Sequence, residues 1–505
     1  MRLCDRIARE DGSVFPGKTY AESILRPVFE LQRDHLYHAM MEVQRAHVRM
    51  LFDAEILSRQ EAAQMLRAIG KIREKGSQAL AYDPRHEDLF FLLEAKIAGE
   101  IGDDLAGNMH IGRSRNDLGV TVFRMVLRDR LLALIRQLLR LKKTLLELSG
   151  EHVSTLMPAH THTQPAQPIT LAHYLLAVFD GLRRETERCW SAYKTVNRSP
   201  MGAAALSATG FPIIRQTVCD WLGFSEVIEN TYDAIGGADY LVETATSALS
   251  LMTFLGRFLH NLLFWCTKEA GVIRVADPYV QVSSIMPQKR NPVSLEHARA
   301  LSSSAIGEAQ AVVMMVHNTP FGDIVDTEEN LQPHLYQALE KSERVVRLLT
   351  AVLATMQVDR GKLRAEAGKY CCTITELADH LFRTEGIPFR KAHSIAAFVA
   401  AKASSSQLGL AQVPVGWVND AALKVTGKAL HLDEKMWGKI ADPEYFVNRR
   451  DRTGGPAPQV VTEMIRKRER IWESEKAKLM QERQRLAKAE ADLDAKVKEC
   501  CQGES

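Results

Sequence analysis

Three polar segments of this chain hold residues able to do chemistry. The first is HIGRSRNDL, residues 110–118, in which Arg113, Ser114, Arg115, Asn116 and Asp117 stand side by side. If a helix starts here, its free backbone N–H groups and positive dipole end, joined by arginine and asparagine side chains, make an anion site. The same residues also read as an ordinary helix start capped by Asn or Asp. The second segment is MPAHTHTQPAQP, residues 157–168. His160 and His162 would share a face of an extended chain. Thr161, His162 and Gln164 suit proton transfer or contact with a carboxylate. A plain surface loop fits too. A metal site is disfavoured, because HxH has no acidic or cysteine partner nearby.

The third segment is VSSIMPQKRNP, residues 282–292. Asn291 can cap the helix that follows, with Pro292 at its first position. That reading leaves Ser283, Ser284 and Lys289 without a task.

Positioning such loops falls to long helices. Apolar residues recur with helical period over about 117–151, 168–196, 239–270, 291–317 and 331–356, while strand-like alternation is scarce. Helices of roughly 25 to 35 residues exceed the usual mean of about 11–12. Apolar on most of their circumference, they must bury against one another and against other subunits. The expected fold is therefore all-α, with three mainly helical domains. Residues 1–112 form an N-terminal helical domain, 113–360 a central long-helix bundle and 361–470 a C-terminal helical domain. Residues 471–505 are a charged extension, helical or disordered. In the first domain, Ser58 and Gly76 mark the two ends of one helix.

Composition narrows the classes of function. The 505 residues are 46% hydrophobic and 25% charged, as in ordinary globular proteins. With 65 basic against 62 acidic residues, the net charge of +3 gives no reason to expect nucleic acid or membrane as a partner. The opening MRLCDRIAREDG has no apolar core of a secretory signal, and the greasiest run, 247–255, is too short for a bilayer. Eight cysteines without a CxxC pair suggest reduced thiols and a cytoplasmic protein.

Together, HIGRSRND, THTQPAQP and SSIMPQKRNP resemble the three signature regions of the fumarase–aspartase superfamily, and within it the argininosuccinate lyase family. SPMGAAAL at 199–206, NTYDA at 230–234 and ITELADHLFRTEGIPFRKAH at 374–393 extend the resemblance to about residues 20–468. It implies a homotetramer with a 20-helix core and sites assembled from three subunits, with no cofactor and no metal. The implied reaction removes an amine from an N-substituted aspartate and releases fumarate. Ser283 would be the general base, helped by Lys289 and backbone N–H groups. His162 would be the general acid or orient it, with Glu296 as its partner. Thr161, Lys289, Asn291, Arg115 and Asn116 would hold the carboxylates and the dianionic intermediate, and Ser114, Gln164 and Ser284 would bind substrate.

Departures from the family pattern gather at the amine end. Val282 replaces a glycine before the serines, Val293 an Asp and Pro165 an Arg. In FGDIVDTEENLQ, residues 321–332, Asp323, Glu328 and Leu331 stand where the family has Tyr, Gln and Lys. A cation is gone and two acids have appeared, so Asp323 and Glu328 are expected to face an amine richer in positive charge or hydroxyls than in carboxylate. Argininosuccinate itself, a diamine or aspartate adduct of fumarate as in ethylenediamine-disuccinate lyase, and a silent crystallin-like relative are the readings this leaves.

Overall fold

The computed structural model describes residues 2–430 and 432–502. Five long helices make its centre: α4 (Arg115–Glu151), α5 (Leu171–Val196), α6 (Asp239–Cys266), α7 (Val293–Val316) and α8 (Gln332–Thr355). Each packs on the next, and α8 closes the ring on α4. Their bounds fall within a few residues of the periodic stretches in the sequence, since apolar periodicity is what selects buried helices. Glycine has a visible packing role at one crossing. A Cβ on Gly181 of α5 would lie 2.1 Å from the ring of Phe254 on α6, so the close approach needs the missing side chain.

Before the bundle come α1 (Tyr37–Asp53), α2 (Arg59–Lys75) and α3 (Leu89–Ile101). Ser58 and Glu61 form a capping box at the start of α2, and Gly76 follows its end at φ 74°, as the sequence suggests. These helices share one apolar core with the bundle. Helices α9 (Ile374–Glu385), α10 (Phe389–Ser405) and α11 (Val415–Thr426) instead enclose a separate core around Leu377, Leu381, Ile395, Val399 and Trp437.

Over residues 471–502 the charged tail is helical. It is part of α12 (Pro458–Gln502), a 45-residue helix that crosses position 470 without a break and lies along α4. Its polar residues answer buried ones. Lys142 of α4, fully buried, reaches Glu475, Trp472 Nε1 donates to the Leu139 carbonyl at 2.8 Å, and Tyr193 pairs with Glu482. Sparse apolar positions suffice because these contacts supply the rest.

Other expectations need correction. Asn291 does not cap α7. It lies in a short strand, and Pro292 takes the N-cap position with no side-chain cap. The helix after Pro168 starts at Leu171, capped by Thr170, because 164–170 is a strand. The nine residues 247–255 are too short for a bilayer, but the helical stretch that contains them, Thr231–Cys266, is long and apolar enough by length and composition. Its most apolar window has a mean hydropathy of 1.2 and is 39% buried. Much of that apolar surface is left uncovered within one chain.

Helix α7 repeats the pattern. Its buried positions, Leu295, Ala298, Ser302, Ala305, Ala309 and Val312, step by three and four along a single seam. Only one other residue of its 24, Ser294, is buried, while Met314 is 68% exposed.

Candidate functional site

The three polar segments occupy opposite ends of the bundle. Segment 110–118 leads into α4. Its cap is Ser114, rather than Asn116 or Asp117. The Ser114 hydroxyl accepts from Asn116 N at 3.4 Å, while Ser114 N donates to Asp117 Oδ1 at 2.8 Å. Thirty-seven residues later, about 55 Å along the helix, the chain leaves α4 for the 157–168 segment. That segment is a hairpin of β1 (Leu156–Thr161) and β2 (Gln164–Thr170). The serine segment is at the same far end. It lies beyond the C-terminus of α6, whose first turn packs Tyr240 under Arg124 of α4. The adjoining strand Ile273–Arg274 pairs with Gln357–Val358, and Arg360 just beyond donates to the Glu151 carbonyl at 3.2 Å.

At the near end, Arg115, Asn116, Asp323 and Glu328 come together around a cavity of about 350 Å³, with Ser114, Asp88 and Glu329 also in its wall. Arg115 donates to Asp88 at 2.8 Å and Glu87 at 3.3 Å, and Asn116 donates to Asp323. Burial, followed by Glu329 and Asp323, pushes Glu328 up to about 9, so it is held neutral near pH 7. Burial likewise raises Glu329 and Asp88. Leu331 is fully buried. The expectation drawn from sequence included Asp323 and Glu328 but missed Asp88 and Glu329. Asp88 carries a signal in HEDLFF, where an acid stands at the cap of an apolar helix, and it does cap α3.

At the far end, His160 and His162 do not share an extended face. His160 is in β1, whereas His162 and Thr163 form the hairpin turn at φ 50° and 63°. Two successive left-handed residues give the turn twist that hairpins favour, but this position usually takes Asn-Gly. For β-branched Thr163 the conformation is strained. Thr161, His162 and Gln164 are all exposed. Among the described residues, no group of three or more His, Cys, Asp or Glu is placed to hold a metal ion.

The serine segment is a second hairpin, β3 (Gln281–Val282) with β4 (Arg290–Asn291). Val282 pairs with Arg290 in extended backbone, so no glycine is required there. In the turn, Ser283 Oγ accepts from Met286 N at 3.1 Å and Ile285 N at 3.4 Å. Two donors on one hydroxyl oxygen stabilise negative charge on it. The same contacts also serve as a local turn motif. Arg290 is taken up by Asp277 and the Val275 carbonyl. Ser284, Lys289 and Glu296 are exposed, and among the described residues none of their side chains makes a hydrogen bond or ion pair. None joins Ser283 to His162 or Arg115 either.

Comparison with known proteins decides the family. A lyase family profile matches residues 27–307, and an argininosuccinate lyase C-terminal profile matches 371–448. Argininosuccinate lyase 2 of Agrobacterium fabrum (strain C58 / ATCC 33970) is 39% identical over 90% of each chain. The chain belongs to the argininosuccinate lyase family. Another relative in this family, argininosuccinate lyase of Methanothermobacter thermautotrophicus, is 36% identical over 88% of this chain and 94% of its own. Among solved structures, EDDS lyase in complex with formate matches with TM-score 0.86 at 28% identity over 99% of each chain. A variant of that enzyme with bound fumarate matches with TM-score 0.85, also at 28% identity over 99% of each chain. The family places the all-α bundle within the fumarase–aspartase fold, as the sequence motifs imply.

Proposed function

We propose that this carbon–nitrogen lyase eliminates an amine from an N-substituted aspartate and releases fumarate, with Ser283 as the base. The observation that carries the reading is the pair of backbone N–H groups on Ser283 Oγ in an exposed turn. A serine hydroxyl is far too weak an acid to lose its proton near pH 7 unaided. Two preorganised donors, with Lys289 from the same turn, lower the free energy of the alkoxide. His162 protonates the departing nitrogen or orients the group that does, Glu296 of another copy pairs with it, and Thr161, Gln164, Ser284 and Asn291 line the carboxylates.

The reading requires association. Arg115 and Asn116 are separated from Ser283 and His162 by the length of the bundle, so one chain cannot close a site around a four-carbon acid. A homotetramer brings unlike ends of different copies together, and four five-helix bundles give a twenty-helix core. The uncovered apolar faces of α6 and α7 support this arrangement. Fumarate bound to the EDDS lyase variant supports the identity of the acid product.

For the amine, the acids around Arg115 favour a leaving group with a second positive charge over one with a free carboxylate. The test is fumarate release, followed by ultraviolet absorbance, from argininosuccinate and from N-succinyl diamines. Release from the diamine adducts at ten or more times the kcat/KM for argininosuccinate is expected. Equal or better turnover of argininosuccinate overturns the assignment of the amine. No release from any of them overturns the reaction.

A further inference from the structure

The segment 200–209 has a backbone that its residues do not favour. Gly202, Ala204, Leu206 and Ala208 stand at φ 83°, 49°, 70° and 60°, with residues of ordinary φ between them. Three of the four are not glycine, so each left-handed residue is disfavoured, and the loop persists only because its surroundings over-determine it. Arg215 holds it from one side, with Nε donating to the Met201 carbonyl at 3.0 Å and Nη2 to the Ile228 carbonyl at 2.9 Å. Thr231 holds it again through the Leu206 carbonyl at 2.8 Å.

The third hold comes from Asp117. Its side chain is completely buried. Oδ2 accepts from Gly202 N at 2.8 Å and Ala204 N at 3.0 Å, and Oδ1 accepts from Ser114 N at 2.8 Å. Alternation in φ turns the two loop N–H groups toward one oxygen, a backbone nest for an anion. The start of α4 adds its dipole to the same carboxylate. One buried carboxylate thus ties the strained loop to the three residues, Ser114, Arg115 and Asn116, that form one wall of the near-end cavity.

We infer that Asp117 is a positioning residue for substrate carboxylate binding: it fixes Ser114, Arg115 and Asn116 against the 200–209 loop, and touches no substrate itself. This rests on the reading of the cavity as a fumarate-handling site. Its effect falls on affinity more than on turnover, because the groups assigned to proton transfer lie at the other end of the chain. In Asp117→Asn, an amide NH₂ faces N–H groups where an oxygen accepted them. Loss of such charge-assisted bonds corresponds to about a tenfold to hundredfold change in binding.

The test titrates fumarate and succinate into the purified full-length protein by calorimetry and measures kcat and KM on the best succinyl substrate. For Asp117→Asn with an unchanged circular dichroism spectrum, dissociation constants and KM rise at least tenfold while kcat falls less than threefold. Unchanged affinity overturns the inference, and so does a fall confined to kcat. If Asp117→Asn does not fold, Gly202→Ala gives the same readout from the loop side. Its Cβ would meet Arg215 Cγ at 2.7 Å, which displaces the loop from Asp117 without substituting any residue of the helix start. A rise in KM then supports the inference, and an unchanged KM overturns it. Wild-type protein that binds neither fumarate nor succinate and turns over no succinyl substrate is a separate outcome: it removes the fumarate reading, and the inference falls with it.

Discussion

The two ends of the bundle are built in opposite ways. At the Arg115 end the side chains of the helix start find partners inside the chain: Arg115 on Asp88 and Glu87, Asn116 on Asp323, Asp117 on three backbone N–H groups. At the Ser283 end, Thr161, His162, Ser284 and Lys289 stand exposed on two hairpin tips, and Glu296 stands exposed on the first turn of α7. A region held within one chain can change its residues and still fold, and here Asp323 and Glu328 depart from the family pattern. The exposed hairpins keep Ser283, His162 and Lys289 but carry Val282 and Pro165 where the family has Gly and Arg, and in the proposed tetramer the partners of these tips lie on other copies. On the proposed roles, chemistry and amine selection separate along one helix.

The largest expected effect lies at the exposed end. Ser283→Ala should lower fumarate release by roughly 10²- to 10⁴-fold, the usual range for a general base, while fumarate affinity by calorimetry stays within a few-fold. Retained turnover would remove Ser283 from the chemistry. The division between ends can be tested with the same variant. Mixed and reassembled with Arg115→Ala, itself impaired, it should regain activity that neither parent has, since some sites then combine intact ends from different copies. Hybrids no more active than the parents would argue that each site is built within one chain. Next in size, His162→Asn should slow release by roughly 10- to 100-fold, with the deficit smaller for a leaving amine of low basicity, which needs less help from an acid. A deficit independent of the leaving group would place His162 in binding instead.

How far the sequence discloses this molecule follows the same division. The bundle is legible because apolar periodicity over some 25 residues has one solution, and Ser58 and Gly76 mark helix ends by capping chemistry alone. The tips are legible as motifs but not as shapes. Nothing in THTQ signals two left-handed residues at His162 and Thr163, and the Asn291–Pro292 pair suits a helix start so well that the strand is unexpected. Asp88 and Glu329 were missed because each is an unremarkable acid until folding sets it beside Arg115. Asp117 reads locally as a helix cap, whereas its main partners are 85 and 87 residues away. The tail reads as solvated because its charges answer buried groups, such as Lys142, that are invisible in its own sequence.

A smaller effect is expected at the closed end. Asp323 engages the Asn116 amide, which the family resemblance assigns to a substrate carboxylate. Asp323→Asn removes a negative charge from the cavity wall and weakens the hold on Asn116. Affinity for succinate should rise about tenfold, or about 1.4 kcal/mol, and kcat/KM for a dicationic leaving amine should fall by a similar factor. The opposing signs are the test, because a general loosening of the cavity would weaken both. If succinate binding weakens as well, Asp323 supports the fold of segment 321–329 and does not select the amine.

The smallest expected effect concerns Glu328, and its sign follows from proton linkage. Burial beside Glu329 and Asp323 raises its folded-state value to about 9, while the unfolded chain ionises near the ordinary carboxylate value. A group raised in the folded state contributes its full stability below the unfolded value, and the contribution is lost as pH rises through the folded one. Glu328→Gln, which never ionises, should therefore melt close to wild type near pH 4–5 and above it at pH 8, by about 2–4 °C. The same variant should flatten a second profile. With a succinyl substrate whose leaving amine carries a fixed trimethylammonium group, wild-type affinity should improve as pH climbs through about 9 and Glu328 gains its charge. A Glu328→Gln profile that climbs as steeply as wild type would mean that the carboxylates of Asp323, Glu329 and Asp88 attract the cation without it. The cavity would then read the amine by its summed charge, with no single titrating side chain in control.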